Sequence, residues 1–457
     1  MYRPKPVVQT QVEFVTIEDL VPKNHLLRKI NKYIDFSFIA EKAKEYYCLD
    51  NGRPCLDPVV MFKILFLGYL YGIRSERRIF EEIQVNVAYR WFLGYGLTDQ
   101  IPHHSTLSQN RIRRFTGTPI HREIFEEIVF QAMKHGLVGG RHLFTDSTKI
   151  KASANKGKYR REQVAESTRE YLRELDKDIT EDRMKHGKKP LPPGNSKPSR
   201  GNTVRVSTTD PESGYVFQDR KQEGFYYSNH QTVDGKYNII TDSFVTKGSV
   251  HDSIPYLQRL DHQIKRFSFN ELEGVALDAG YLTAPICKGL HDRKIYAAIA
   301  HRRYKSATGL IPKTKFVYEE NQDCYVCPEG YQLAYKTTNR NGYREYVSTP
   351  SICINCPRLK ECTRSKNHQK VITRHIWEEA REWVRGIRLS KPGKAIYRLR
   401  KETIERSFAD AKELHGLRYC RMRGIAKVSE QVLLTAACQN IKIIARNLWA
   451  REGLRAS

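Results

Sequence analysis

The spacing of apolar residues changes at Gly139-Gly140, and that change limits what the chain can build. Before it, apolar positions recur every three or four residues, the period of a helix face. Asp57-Pro58 supplies an N-cap and a proline at the first helical position, opening the run VVMFKILFLGYLYGI. Ser75 caps the text SERRIFEEIQVNVAYRWFLGYGL, and Ser105-Thr106 starts a further helix with capping-box spacing between Thr106 and Gln109. That helix carries Arg111, Arg113 and Arg114. Two short helices, a turn and a basic third helix suit a helix-turn-helix, which makes the three arginines candidates for DNA contact. A packed helical domain with exposed arginines is the plainer reading of the same text. Residues 1–140 therefore read as an all-α, DNA-binding domain.

After the glycines the text is strand-like. RHLFTDSTKIKA is a short apolar strand with Asp146 at its heart, and GVALD is a buried strand ending in Asp278. Between them lie a strand from Thr203, the text YVFQDRK and a pair, YYSNHQTVD and YNIITDSFVTKG, turning at Asp234-Gly235. His251-Asp252 opens a helix, with Asp252 or Ser253 as its cap, and KIYAAIAHR closes as a strand. Strands and helices in this order predict a mixed α/β sheet over residues 141–303. Residues 155–205, rich in Lys, Arg, Glu and Pro, read as a mobile basic loop with a charged helix at its centre.

Residues 304–385 break the pattern again and hold Cys324-x2-Cys327, Cys353-x2-Cys356 and Cys362. Two C-x2-C pairs across a loop have zinc-ribbon spacing, so a structural Zn²⁺ on Cys324, Cys327, Cys353 and Cys356 is expected, with Cys362 as alternate. Reduced structural thiols are the simpler alternative. Residues 386–457 return to helical text. Within it, Arg398, Lys401, Glu405 and Lys412 fall on one face of a single predicted helix from Arg398 to Lys412. Leu399, Ile404, Phe408 and Ala411 would dock it. Arg418 and Arg421 follow.

The chain of 457 residues carries a net charge of +27, which points to a polyanionic partner, most often nucleic acid. Its N-terminus has no signal-peptide core. Its longest apolar run, Val59 to Ile73, is broken by Lys63 and falls short of the ~20 residues a membrane span needs. A cytoplasmic protein with no membrane partner and with reduced or metal-bound cysteines is expected. Asp146 and Asp278 each come at or near the end of an apolar run, and Glu405 would come from a helix packed on the sheet. Three such carboxylates suit hard cations, Mg²⁺ or Mn²⁺. Two ions ~4 Å apart activate a water or 3′-hydroxyl for in-line phosphoryl displacement.

FTDST around Asp146, LDAGY around Asp278 and IERSFADAK around Glu405 resemble the three acidic motifs of bacterial insertion-sequence DDE transposases. The text LDPVVMFKILFLGYLYGI and HSTLSQNRIRRF resembles the helical domain that precedes the catalytic core in that group, and the chain is similar to the insertion-sequence type eleven eighty-two. The resemblance implies an RNase H-like catalytic core and a homodimer acting on the paired terminal inverted repeats of its own element. It implies cutting by water and joining by 3′-hydroxyl attack on double-stranded DNA. Related families carry a tyrosine, two residues, an arginine, three residues, the glutamate, six residues and a lysine. Glu405 and Lys412 match; counted back from Glu405, Lys401 stands at the arginine position and Arg398 at the tyrosine position, with Tyr397 one residue away. Glu402 is the rival third acid. An RNase H-like nuclease that cuts without joining, and a non-catalytic sequence-specific DNA-binding protein, are the alternatives.

Overall fold

The computed structural model describes residues 14–48, 55–164, 170–192, 202–218, 222–301 and 309–456. Eight helices come first: α1 (Ile17–Leu20), α2 (Leu26–Tyr33), α3 (Phe38–Ala43), α4 (Pro58–Leu70), α5 (Glu76–Val85), α6 (Val87–Leu93), α7 (Ser105–Asn110) and α8 (Ile120–Lys134). Asp57 caps α4 by accepting from the Val59 N–H, and Ser75 caps α5 through the Arg78 N–H, as their sequence positions require.

A six-stranded sheet follows, built from β1 (His142–Lys151), β4 (Gly214–Gln218), β5 (Gln222–Asp234), β6 (Ile240–Lys247), β7 (Gly274–Leu277) and β8 (Tyr296–Ile299). Its order is β6-β5-β1-β7-β8, with β4 sharing the outer edge of β5. The β6-β5 and β5-β1 pairs are antiparallel; β1-β7 and β7-β8 are parallel. GVAL and YAAI are almost wholly buried, as expected of parallel strands covered on both faces. Helices α10 (Tyr256–Phe267) and α11 (Ala284–Asp292) connect the later strands.

Two corrections concern the segments between. The region read as a mobile loop has the charged helix expected at its centre, α9 (Glu170–Lys185), but also an antiparallel strand pair, β2 (Tyr159–Val164) with β3 (Asn202–Ser207). Residues 165–169 and 193–201, including most of the proline-rich stretch, lie outside the described residues. Helix α9 docks through Leu175 and Ile179 onto Trp377. Its buried Asp182 accepts from Arg344 and from the Thr338 hydroxyl, which compensates the charge it buries. Arg344 and Thr338 belong to a second sheet, β13-β12-β11-β10-β9. Its strands are β9 (Val317–Glu319), β10 (Cys324–Val326), β11 (Gln332–Thr338), β12 (Tyr343–Ser348) and β13 (Val371–His375). The short helices α12 (Pro350–Cys353) and α13 (Leu359–Cys362) lie between the last two strands.

The second correction is at Arg398–Lys412, which is not one helix. After α14 (Glu378–Leu389), α15 (Lys391–Arg398) runs into a 3₁₀ turn, Leu399–Lys401. Thr403 leaves the helical region with φ −106° and ψ −94°, and α16 (Ile404–Glu413) starts afresh. Arg398, Lys401, Glu405 and Lys412 therefore do not share one helix face.

Helix α17 (Ile425–Ala456) ties both halves together. It packs on α2, α4 and α8 on one side and on β6 on the other. A single apolar core runs from Leu27 through Phe62, Phe144 and Val275 to Leu448, so the change of period at 140 separates two kinds of structure rather than two cores. No helix among the described residues is long and apolar enough to cross a membrane. Asn440, fully buried on α17, receives the Ile240 N–H and donates to the Ile240 carbonyl, each at 2.8 Å. Asn440→Ala leaves both backbone groups of Ile240 unpaired in the core. Denaturant unfolding should show a loss of about 2 kcal/mol, whereas no loss would mean that this clamp does not hold helix to sheet.

Candidate active site

The register of two parallel strands brings the aspartates together. Strands β1 and β7 pair from His142–Gly274 to Thr145–Leu277, where β7 ends. The next step along both strands is Asp146 beside Asp278, and Asp278 leads into the 3₁₀ turn Ala279–Tyr281. Side chains alternate along β1. Thr145 faces α10, bonded to Thr232, which receives Gln263 of that helix. Asp146 faces the opposite way. Its partner across the antiparallel pair, Gln231, donates to the Ser407 hydroxyl of α16 at 2.7 Å.

A cation already sits between the two acids. Arg400 is 3% exposed and comes from the 3₁₀ turn ahead of Thr403. Its Nη2 lies 2.5 Å from Asp146 Oδ2 and its Nη1 3.8 Å from Asp278 Oδ1. Nη1 also donates to the Tyr397 hydroxyl at 3.3 Å, while Nε is buried without a partner. Burial pushes the Asp146 carboxyl up to about 6; Arg400 opposes the rise, and the charges of Asp278 and Asp252 add to it.

Sequence reasoning missed Arg400 and read Asp252 as a helix cap. The signal for the first was present: Tyr397 and Arg400 keep the tyrosine-x2-arginine spacing, but one extra residue separates Arg400 from Glu405. The irregular backbone at Thr403 accommodates that residue. Asp252 does not cap a helix, since α10 starts at Tyr256; it stands 3.9 Å from Lys149 Nζ. Glu405 lies on the exposed side of the first turn of α16, and Glu402 is exposed as well. Among the described residues, no three His, Cys, Asp or Glu side chains are gathered in an arrangement able to hold a metal ion. Glu405 thus lies on α16 but is not drawn into the aspartate pair.

The basic candidates divide by exposure. Arg113, Arg398, Lys401 and Arg418 are exposed, although Arg418 is paired with Glu413. Lys412 is half-buried, and burial lowers its pKa. Arg421 lies 4.2 Å over the Tyr69 ring. Arg114 bonds Asn110 and lies 4.3 Å over the Tyr47 ring. Arg111 does not suit the DNA contact expected of it: it is held inside, paired with Glu76 and with the buried Glu430.

Four cysteines of the inserted sheet, Cys327, Cys353, Cys356 and Cys362, line one small cavity beside Phe316 and Leu333. Gly330, at φ +83°, closes the turn that carries Cys327 by donating to the Cys327 carbonyl. Burial raises the Cys362 thiol, Lys370 pulls it back, and Cys353, Cys327 and Cys356 raise it further. Cys324, expected among the ligands, is absent from the cavity; strand alternation turns its Sγ to Gln322 Oε1, 3.8 Å away. All these thiols are free of disulfides.

Two family models match the chain. One, described as a transposase domain (DUF772), matches residues 15–113. The other, described as a transposase DDE domain, matches residues 326–445, which include Arg400 and Glu405; Asp146 and Asp278 lie between the two matches. No curated protein matches. Among solved structures, the chain is similar to a piggyBac transposase synaptic complex with hairpin DNA, at 11% identity and a TM-score of 0.36, over 94% of this chain and 75% of that one. It is also similar to a Mos1 transposase paired-end complex, at 9% identity and a TM-score of 0.17, over 55% of this chain and 61% of that one. Scores this low carry no argument about fold or partners. The two domain models, one towards each end of the chain, support a DNA transposase.

Arg111→Ala should cost about 3 kcal/mol in equilibrium unfolding, because it strips the buried Glu430 of its cation. Arg113→Ala, at an exposed position, should stay within about 0.5 kcal/mol. Equal effects would remove the distinction between them.

Proposed function

We propose that this transposase cuts and joins double-stranded DNA by divalent-metal phosphoryl transfer at Asp146 and Asp278, with Glu405 as the third carboxylate. The observation that carries this reading is the in-register aspartate pair with a cation between its members. The sheet order β6-β5-β1-β7-β8, antiparallel then parallel, supports an RNase H-like core. The expected substrates are the terminal inverted repeats of the chain's own element, of insertion-sequence type eleven eighty-two, held by a homodimer on paired ends.

The donor set suits Mg²⁺ or Mn²⁺, since carboxylate oxygens that accept a guanidinium also suit a hard cation. Such ions, when bound, activate the attacking oxygen and stabilise the leaving one. Asp146 and Asp278 hold the ligand oxygens on a rigid sheet. Gln231 and Ser407 tie the helix of Glu405 to the strand beside Asp146. The exposed Arg113, Arg398, Lys401 and Arg418, with Lys412 and Arg421, are the phosphate contacts that fix the duplex in register. The chain's own charge of +27 favours such contacts.

The inserted sheet adds a structural role for zinc. The four thiols that line the cavity, Cys327, Cys353, Cys356 and Cys362, are not drawn into ligand positions here; the reading is that Zn²⁺ would gather them into a tetrahedral Cys₄ site, with Cys362 in place of Cys324.

A labelled duplex ending in the terminal repeat tests the catalytic reading. With Mg²⁺, Asp278→Asn, Asp146→Asn and Glu405→Gln should each slow cleavage on the order of a thousandfold, equivalent to several kcal/mol of lost charge stabilisation, while the DNA still binds. Cleavage without joined product would turn the reading to a nuclease. Undiminished cleavage by Glu405→Gln would move the third acid to Glu402. Metal analysis of the purified protein should find about one zinc per chain, lost in Cys362→Ser and kept in Cys324→Ser. The reverse pattern would restore Cys324 as a ligand.

A further inference from the structure

The best-formed contact at the site is made by a residue that no acidic motif contains. Arg400 is almost fully buried, reaches both aspartates and leaves one donor, Nε, without a partner. A buried guanidinium with an unused donor is held by charge more than by fit. Its backbone lies in a short 3₁₀ turn, and the non-helical Thr403 separates that turn from α16. The turn is thus an element separate from the helix that carries Glu405.

We propose that Arg400 is a tethered counter-ion that fills the metal position between Asp146 and Asp278, so that a divalent cation enters only by displacing it. This rests on the carboxylate reading above. One guanidinium cannot share two oxygens, on different residues, with an ion that needs the same oxygens at close range. The displaced guanidinium needs an anion, and a backbone phosphate offers it two acceptors in a bidentate arrangement. Metal binding is therefore weak until DNA is present, and the carboxylates are kept paired meanwhile.

The test is Mn²⁺ binding to the full-length, DNA-free protein, read from the electron spin resonance of the free ion, with the thermal midpoint as a second readout. Arg400→Gln should bind Mn²⁺ roughly tenfold tighter than the unmodified chain. Mn²⁺ should also raise its midpoint by more, since an ion that binds only the folded state stabilises it. Equal affinity and equal stabilisation would overturn the proposal. If Arg400→Gln does not fold even with Mn²⁺, Arg400→Lys decides. A lysine cannot span both carboxylates, so tighter binding supports displacement and unchanged binding overturns it. Asp278→Asn separates the two readings: it should abolish Mn²⁺ binding. If it leaves binding intact, the carboxylate site itself fails, whatever Arg400 does.

Discussion

Two carboxylates side by side on neighbouring strands repel each other, and partial burial makes the repulsion stronger. The pairing of β1 with β7 forces this juxtaposition, because the register that ends at Thr145–Leu277 leaves no other place for Asp146 and Asp278. The fold must therefore bring a cation to that point. It does so with Arg400, and the local structure around it follows from that requirement. The turn at Leu399–Lys401 aims the guanidinium inward, and the break at Thr403 lets α16 resume on its own axis. A continuous helix would have sent that charge elsewhere.

Helix α17 makes the arrangement rigid. Its buried amides each have a defined backbone or side-chain partner. Asn440 clamps the backbone of β6, Gln439 bonds Ser407 of α16, and Gln431 receives the Arg421 N–H and donates to the Tyr419 carbonyl. A buried amide costs little when both its ends are paired and much when they are not. The amides thus select one position of α16 relative to the sheet, while the apolar residues of the same helix weld the N-terminal helices to it.

Much of this was legible in the sequence. The caps at Asp57 and Ser75 and the strands GVAL and YAAI follow from local signals, whereas the common level of Asp146 and Asp278 comes from the long-range pairing of β1 with β7. What was illegible depends on distant partners. Helix α9 was legible as a charged helix, but its docking was not, because that rests on two apolar residues and on an aspartate whose cation, Arg344, lies far along the chain. Arg111 looked available because nothing local announces Glu430. Arg400 was hidden by register: counting back from Glu405 assumes an unbroken helix, and the backbone at Thr403 is not helical. Cys324 was preferred over Cys362 because spacing does not say which face of a strand a thiol takes.

The inserted sheet bears on the acid pair through a short mechanical path. Its last strand, β13, is bound to α14 by the two-pronged pairing of Arg374 with Glu382, at 2.6 and 2.8 Å. Helix α14 packs on α11 and β8, so it covers the open side of the parallel strands. Where α14 gives way to α15, Ser390 caps the new helix through the Gly393 N–H, and its hydroxyl meets the Tyr296 hydroxyl of β8 at 2.7 Å. Helix α15 then delivers Tyr397 and Arg400. Each joint is a directional contact between rigid elements. The cysteine cavity and the aspartate pair are therefore two ends of one braced segment, and whatever fixes the first limits where Arg400 can stand.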